Sequence, residues 1–497
     1  MKMIVRLLFL SLIFSALISS AQTQKVMLSP SEIDEPSYGY IKVIGQDDNG
    51  YFVLMSNITL NYFGDRKGFR SRKYKLAYYS SGLTPVWSKP LAATNDNADI
   101  DNVSFFNGAI LMVSSAYDKQ QQSVSYYFSK IDNQGTVSNI EKPAFIFSGI
   151  QSDYEKSRVI ISGNQTRVAI VAREYTTENN QTIAVAVFDE NLQFIHSSKG
   201  NINFADKNFE ITGYQLSNNG DFGMLGIHSE KIKALSSKRK TDYLIYVAAA
   251  GESAIKELPV SSVNPITGMG IAFDNVNRKL VVAGFYAALS APTGSGVVYG
   301  SVGMEDSSAL SIRSNPIDNQ KNIRLKGERN AASGMSLIGY PIERIVVRND
   351  GGAVIVAEAA YTTEYSYYDY FTQSFTRREE FHFDNVVVIS VNSDATIHWS
   401  AIAEKQQVSI DDDGAFSSFC ALLNSEQFIM LFNDDISRQN SIIPVTVSNT
   451  GSSVRGKPVP GGDGLLLIPR SAKQVSENEI LAPVYRKRKL FLARFSF

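Results

Sequence analysis

The sequence predicts an all-β fold, a β-propeller of eight four-stranded blades, and three observations carry that reading. Short turns rich in Asn, Asp and Gly recur along the chain, each followed by an apolar, β-branched run. Every such unit continues with a second apolar run, and two units place the only two tryptophans at the same point. Almost nothing in the chain has the 3.6-residue period of an amphipathic helix.

The turns set the repeat. With Gly50, Gly108, Asn164, Gly220, Asn277, Gly351, Asn424 and Asn478 as markers, the steps are 58, 56, 56, 57, 74, 73 and 54 residues. Asn-Gly between apolar runs is a strong hairpin signal, because both residues tolerate positive φ. After the marker comes an apolar run, as in residues 51–57 and 109–115, then a variable loop and a second run, as in 75–80 and 182–189. A further polar turn leads to a weaker strand, which carries Trp87 in the first unit and Trp399 in the sixth. A short run such as 40–45 precedes each marker. That makes four strands per unit, A to D. Four-stranded antiparallel units in series pack face to face around a channel.

The eighth unit stops at Phe497 after its third strand, with its first expected over residues 465–470. Lys25–Leu28 precedes the first unit and is expected to supply the missing outer strand, closing the ring and removing an exposed edge. Seven blades is the alternative count, if one weak unit is misread. An outer-membrane barrel is the rival architecture, since the chain is all-β and ends in Phe497. Barrel strands need about 9–11 residues, whereas these runs are nearer six to eight and several are apolar on both faces, as blades require.

Residues 1–21 read as an export leader. Lys2 and Arg6 form a basic start, an apolar run follows, and Ser19, Ser20 and Ala21 form a small-residue cleavage site. The run falls short of the roughly 20 residues a membrane span needs. Cleavage after Ala21 leaves residues 22–497 as one propeller domain. The residue after the cut is Gln22, not cysteine, so a lipid anchor is not indicated. The mature protein is expected in the periplasm, at the cell surface or in the medium, with no membrane segment.

Charge and composition narrow the classes. Lys plus Arg is 48 against 49 Asp plus Glu, a formal charge of −1 that becomes about −3 without Lys2 and Arg6. Such a balance argues against a nucleic-acid partner. Charged residues at 20% and aromatics at 11% argue against disorder. The single Cys420 rules out an intramolecular disulfide framework or a cysteine-cluster metal site, and a buried, inert thiol is expected. His196, His228, His382 and His398 form no metal-binding motif, and no cofactor is expected.

At the level of its repeats the chain resembles the uncharacterised secreted β-propeller proteins of bacteria. The resemblance rests on the Asp-x-Gly and Asn-Gly turns and on the element from Gly82 to Trp87, and it covers residues 25–497. It implies scaffolding, ligand binding or catalysis without choosing among them.

Strand alternation sorts the connections. A–B and C–D turns share one face, and they are short and often acidic, as at Asp47, Asp132 and Asp189. B–C and D–A connections share the other. Loops 61–75, 229–241, 314–340 and 360–383 fall there, the first two bringing Arg66, Arg70, Lys238 and Arg239. The loop at 360–383 carries Tyr361, Tyr365, Tyr367, Tyr368, Tyr370, Phe371, Arg377 and Arg378. Tyrosine and arginine are enriched at binding interfaces. These residues are the candidate ligand-binding set, for an acidic glycan or an acidic protein surface. The plainer reading is that the cations solvate surface loops and the tyrosines pack on the scaffold. The catalytic alternative is a carbohydrate-active enzyme, which needs two carboxylates at a fixed separation. Glu358, Glu364, Asp369, Glu379 and Glu380 would be its source. No Ser/His/Asp set can be proposed, and residues 411–414 read as a turn more than as a calcium loop. No catalytic residue is assigned.

Overall fold

The computed structural model describes residues 25–35, 37–57, 73–93, 97–139, 142–148, 154–175, 181–204, 208–231, 239–262, 264–287, 295–305, 310–317, 340–371, 373–436 and 440–497. They form eight antiparallel sheets. Five have four strands, and the second, sixth and eighth each carry a short fifth. In the first, strands A to D are Tyr40–Gln46, Gly50–Ser56, Tyr74–Ser80 and Pro85–Leu91, and the later units follow the same order.

The apolar B and C runs explain how the sheets stack. In Gly50–Ser56, Phe52 and Leu54 pack toward the second sheet, while Val53 and Met55 pack back toward the eighth. In the third sheet Val168, Ile170 and Ala172 face the second, and Ala169 and Val171 face the fourth. A period of two thus gives each buried sheet two core faces. Eight buried clusters result, one in each gap between successive sheets, the last joining the eighth to the first. The molecule is an eight-bladed β-propeller whose A strands line the centre.

Closure follows the expectation. Lys25–Leu28 pairs antiparallel with Lys489–Ser496, Lys25 opposite Ser496 and Leu28 opposite Ala493. The chain then stays on that strand: Ser29 N–H donates to Leu492 O at 2.9 Å and Ile33 N–H to Leu490 O at 2.7 Å. Trp87 and Trp399 both lie in outer strands, Pro85–Leu91 and Ile397–Ala403. Trp87 stacks on its cross-strand partner Tyr78 at 5.9 Å, and its indole N–H reaches Asn133 O of the second blade at 2.7 Å.

The short turns of the A–B and C–D face have two roles. Asp47 Oδ1 accepts the Asn49 and Gly50 N–H groups at 2.9 Å, and Asp189 Oδ1 accepts those of Asn191 and Gln193, so the acidic residues build the turns themselves. Neighbouring turns are also bonded to each other. Asn107 N–H donates to Gln165 Oε1 at 3.0 Å, Asn164 N–H to Asn218 Oδ1 at 3.2 Å, and Asn218 N–H to Asn275 Oδ1 at 2.7 Å.

Two elements differ from expectation. The inner strand of the eighth blade is not continuous over 465–470. It splits into Leu465–Leu467 and Lys473–Ser476 around a 3-10 turn at Pro469–Ser471, since Pro469 has no N–H for the ladder. Residues 360–383 are not a loop. They continue the sixth blade's B and C strands, Ala353–Asp369 and Ser374–Val391, as one long hairpin. Tyr, Thr and Phe fit a pleated surface, and their polarity had hidden that.

Buried tyrosines give the fold an alkaline limit. Burial pushes the hydroxyls of Tyr40, Tyr79, Tyr243 and Tyr340 up to about 12, against about 10 in an unfolded chain. The native state holds these protons more tightly, so their contribution is full below pH 10 and is lost as pH rises through 12. Urea midpoints are expected to fall steeply between pH 10 and 12, with tyrosinate absorbance appearing together with unfolding. Full tyrosine ionisation near pH 10 in a still-folded protein would contradict this.

Candidate functional site

The sixth blade's hairpin leaves the propeller as an arm. A bulge between Glu358 and Ala360 marks where it departs, and the ladder then runs from Ala360 opposite Phe383 to Asp369 opposite Ser374. A third strand, Gln407–Ile410, pairs with residues 380–383 and stiffens the base. Alternation gives the arm two faces. One carries Tyr361, Tyr365 and Tyr367 with His382, Glu380, Arg378, Val408 and Ile410. The other carries Tyr368 and Phe375 with Glu364, Arg377 and Glu379. At the base, the second face is buried through Ala360, Phe381 and Phe383, leaving the first face open.

Each side chain on the open face has a defined seat. The Tyr361 ring stacks on His382 at 4.5 Å, its planes 5° apart, and its hydroxyl donates to Asp384 Oδ2 at 3.5 Å. His382 Nε2 lies 3.0 Å from Thr363 Oγ1 and 3.4 Å from Glu380. Tyr365, Tyr367, Val408 and Ile410 are 38–48% exposed, so a row of aromatic and branched side chains faces solvent. At the tip Tyr368 meets Tyr370 and Phe375 edge-on, while Phe371 is fully exposed.

The arm's two arginines are matched. Arg377 pairs with Glu364, and Arg378 with Asp411. The Glu379 backbone N–H and the Arg378 guanidinium hold the Asp411 carboxyl below its usual range. Residues 411–414 are indeed a turn: Asp412 Oδ1 accepts Ser409 Oγ–H at 2.6 Å and Gly414 N–H at 2.9 Å. Burial raises Asp384, and Lys405 and His382 draw it partly back.

Of the predicted set, the structure brings Tyr361, Tyr365, Tyr367, Tyr368, Tyr370, Phe371, Arg377 and Arg378 together on the arm. Arg66, Arg70 and Lys238 lie outside the described residues, and Arg239 is described only as backbone at the start of strand Arg239–Ala248. The strands flanking all four predicted loops do end toward the arm's face of the ring. Val408, Ile410 and His382 were missed. Val408 and Ile410 belong to a short strand far along the chain, and only the alternation of residues 407–410 could have signalled it.

Of the carboxylates considered for catalysis, the Asp369 side chain lies outside the described residues. Glu358 is fully buried against Lys405. Glu364 and Glu379 are cross-strand partners sharing the field of Arg377, on an exposed hairpin surface and not in a cleft. Cys420 is buried, and burial pushes its thiol up to about 12. Among the described residues, no three His, Cys, Asp or Glu side chains converge as a metal site, and no helix is long and apolar enough to cross a membrane.

No family's sequence profile matches the chain, and no curated protein does. Among solved structures it is similar to the β-propeller domain of the Trilobed protease from Pyrococcus furiosus, with 6% identity, 85% of this chain and 97% of that one covered, and a TM-score of 0.34. It is also similar to YCF48 from Cyanidioschyzon merolae, with 10% identity, 95% and 99% covered, and a TM-score of 0.35. A third is polysaccharide lyase Uly1, with 9% identity, 93% and 99% covered, and a TM-score of 0.36. The fold assignment rests on the sheets and the clusters between them.

Proposed function

We propose that the chain is an exported, non-catalytic propeller that binds a partner protein through the open face of the arm. The observation that carries this is the row of half-exposed Tyr361, Tyr365, Tyr367, Val408 and Ile410 on a three-stranded support whose arginines are paired. Tyrosines held by a sheet supply contact area at small entropic cost. Branched aliphatic neighbours suit a protein surface better than a sugar. Because Arg377 and Arg378 are already paired, affinity would come from this contact area and not from a positive field. The leader-like residues 1–21 support export to the envelope or medium.

The test replaces Tyr365 and Tyr367 with alanine and Ile410 with serine in the mature protein. Affinity capture from the envelope fraction of the producing cells, followed by identification, should recover a defined partner with wild type and at least tenfold less with the variant. The melting temperature should move by no more than about 2 °C, as exposed substitutions cost little. Equal recovery of the same partner, or a large drop in melting temperature, would refute the reading.

A further inference from the structure

Strand A of seven blades carries a register shift against strand B, among them Val43/Gly45, Ile100/Asn102, Glu155/Arg158, Ile342/Arg344 and Gln474/Ser476. Bulges re-aim side chains and sharpen twist. Here they recur at the wall of the channel. At the first, Gly45 lets the Phe105 ring of the next blade lie against backbone, since a Cβ there would come within 2.1 Å of it.

Two cavities of about 620 and 610 Å³ occupy the channel, and both are lined by Ala472 and Lys473. Each falls within the roughly 300–1,000 Å³ of small-ligand sites. Their charge is one-sided. The first is lined by Lys42, Arg158 and Lys473, and the second adds Arg344 and Arg470, against the carboxylates Asp101 and Glu343 only. Asp101 is buried and accepts a hydrogen bond from Ser157 Oγ at 2.8 Å. Among the described residues no carboxylate stands within ion-pair distance of Lys42 or Lys473, while Glu343 acts on the neighbouring Arg344. The Lys473 ammonium donates to Ile44 O at 2.5 Å and lies 5.7 Å from the Phe105 ring. Tyr40, Tyr74 and Phe105 add ring surface, and Asn102, Ser104 and Gln165 add neutral hydrogen-bonding groups.

We propose that this channel binds an anionic saccharide, a short sugar bearing carboxylate or sulfate groups. Lys42 and Lys473 repel each other, and five cations against two carboxylates leave the walls net positive, which favours an anion between them. Rings and amides beside them suit the faces and hydroxyls of a sugar. Desolvation by the channel wall lowers the ammonium pKa of both lysines, and Lys42 lowers that of Lys473 further. The arm plays no part in this site.

Calorimetry on the mature chain decides it, with digalacturonate and a sulfated disaccharide as probes, a neutral disaccharide and inorganic sulfate as controls. At least one charged sugar should bind at 50 mM salt, about tenfold more weakly at 500 mM, and the neutral sugar should not. Which charged sugar binds distinguishes carboxylate from sulfate as the recognised group. Lys42→Gln should cost about tenfold in affinity, and Lys42→Gln with Arg344→Gln more. The proposal is overturned if neither charged sugar binds at millimolar concentration, if the neutral sugar or bare sulfate binds as well, or if Lys42→Gln leaves affinity unchanged.

Discussion

Replacing Lys405 with methionine is expected to destabilise the propeller by about 3–5 kcal/mol, because it strands a buried carboxylate. Lys405 Nζ lies 2.7 Å from Glu358 Oε1, with the two side chains 1% and 0% exposed. The ammonium also donates to Phe383 O and Gln407 Oε1, both at 2.9 Å. Glu358 in turn accepts the Ser418 hydroxyl at 2.5 Å. Burial pulls the Lys405 pKa down, and Glu358 holds it up. Glu358→Gln should cost a comparable amount by leaving the ammonium unmatched. The double variant Glu358→Leu, Lys405→Met removes both charges and should recover most of the loss, since apolar replacements of whole buried pairs are often neutral. Urea denaturation of the three variants checks this. A single variant within about 1 kcal/mol of wild type would show that water already reaches the pair.

Deleting residues 22–29 is the second large effect, about 3–5 kcal/mol from half-buried Val26, Met27 and Leu28 and their ladder bonds. Val26 and Leu28 pack into the cluster between the seventh and eighth blades, and Met27 into the one between the eighth and first. The loss therefore opens two interfaces. It also bares strand Lys489–Ser496, an edge able to pair with another chain. Lower melting temperature and concentration-dependent association by light scattering are expected together. An unchanged melting temperature would mean the ring does not depend on this strand.

The blades were legible because their signals are local. Asn-Gly at 107–108 must turn, Trp87 and Trp399 mark equivalent strands, and counting strands in the last unit pointed to Lys25–Leu28. The arm's existence was legible as an unusual tyrosine cluster but its conformation was not. Tyr361 to Arg378 shows no apolar/polar alternation, since both faces of the outer arm meet water. The matching of Arg378 by Asp411 was also hidden, because that pairing depends on the strand Gln407–Ile410 folding back. The channel cations were least legible. Lys42, Arg158, Arg344 and Lys473 each look like an ordinary charge in an inner strand, and only the ring brings them together.

Pairing Lys25 with Ser496 joins the two ends of the described chain, and this bears on the order in which the molecule assembles. Closing a loop of that length costs about 5 kcal/mol in chain entropy before any contact repays it. Blades one to seven are each contiguous in sequence and can form as the polypeptide emerges. The strand made first has no partner until the strand made last arrives. The final blade is thus a clasp whose rate, more than that of any hairpin, sets the time to a finished ring. Until it closes, the open form carries two unfinished blade faces, and that interval is when the chain is most exposed to proteases and to other copies of itself.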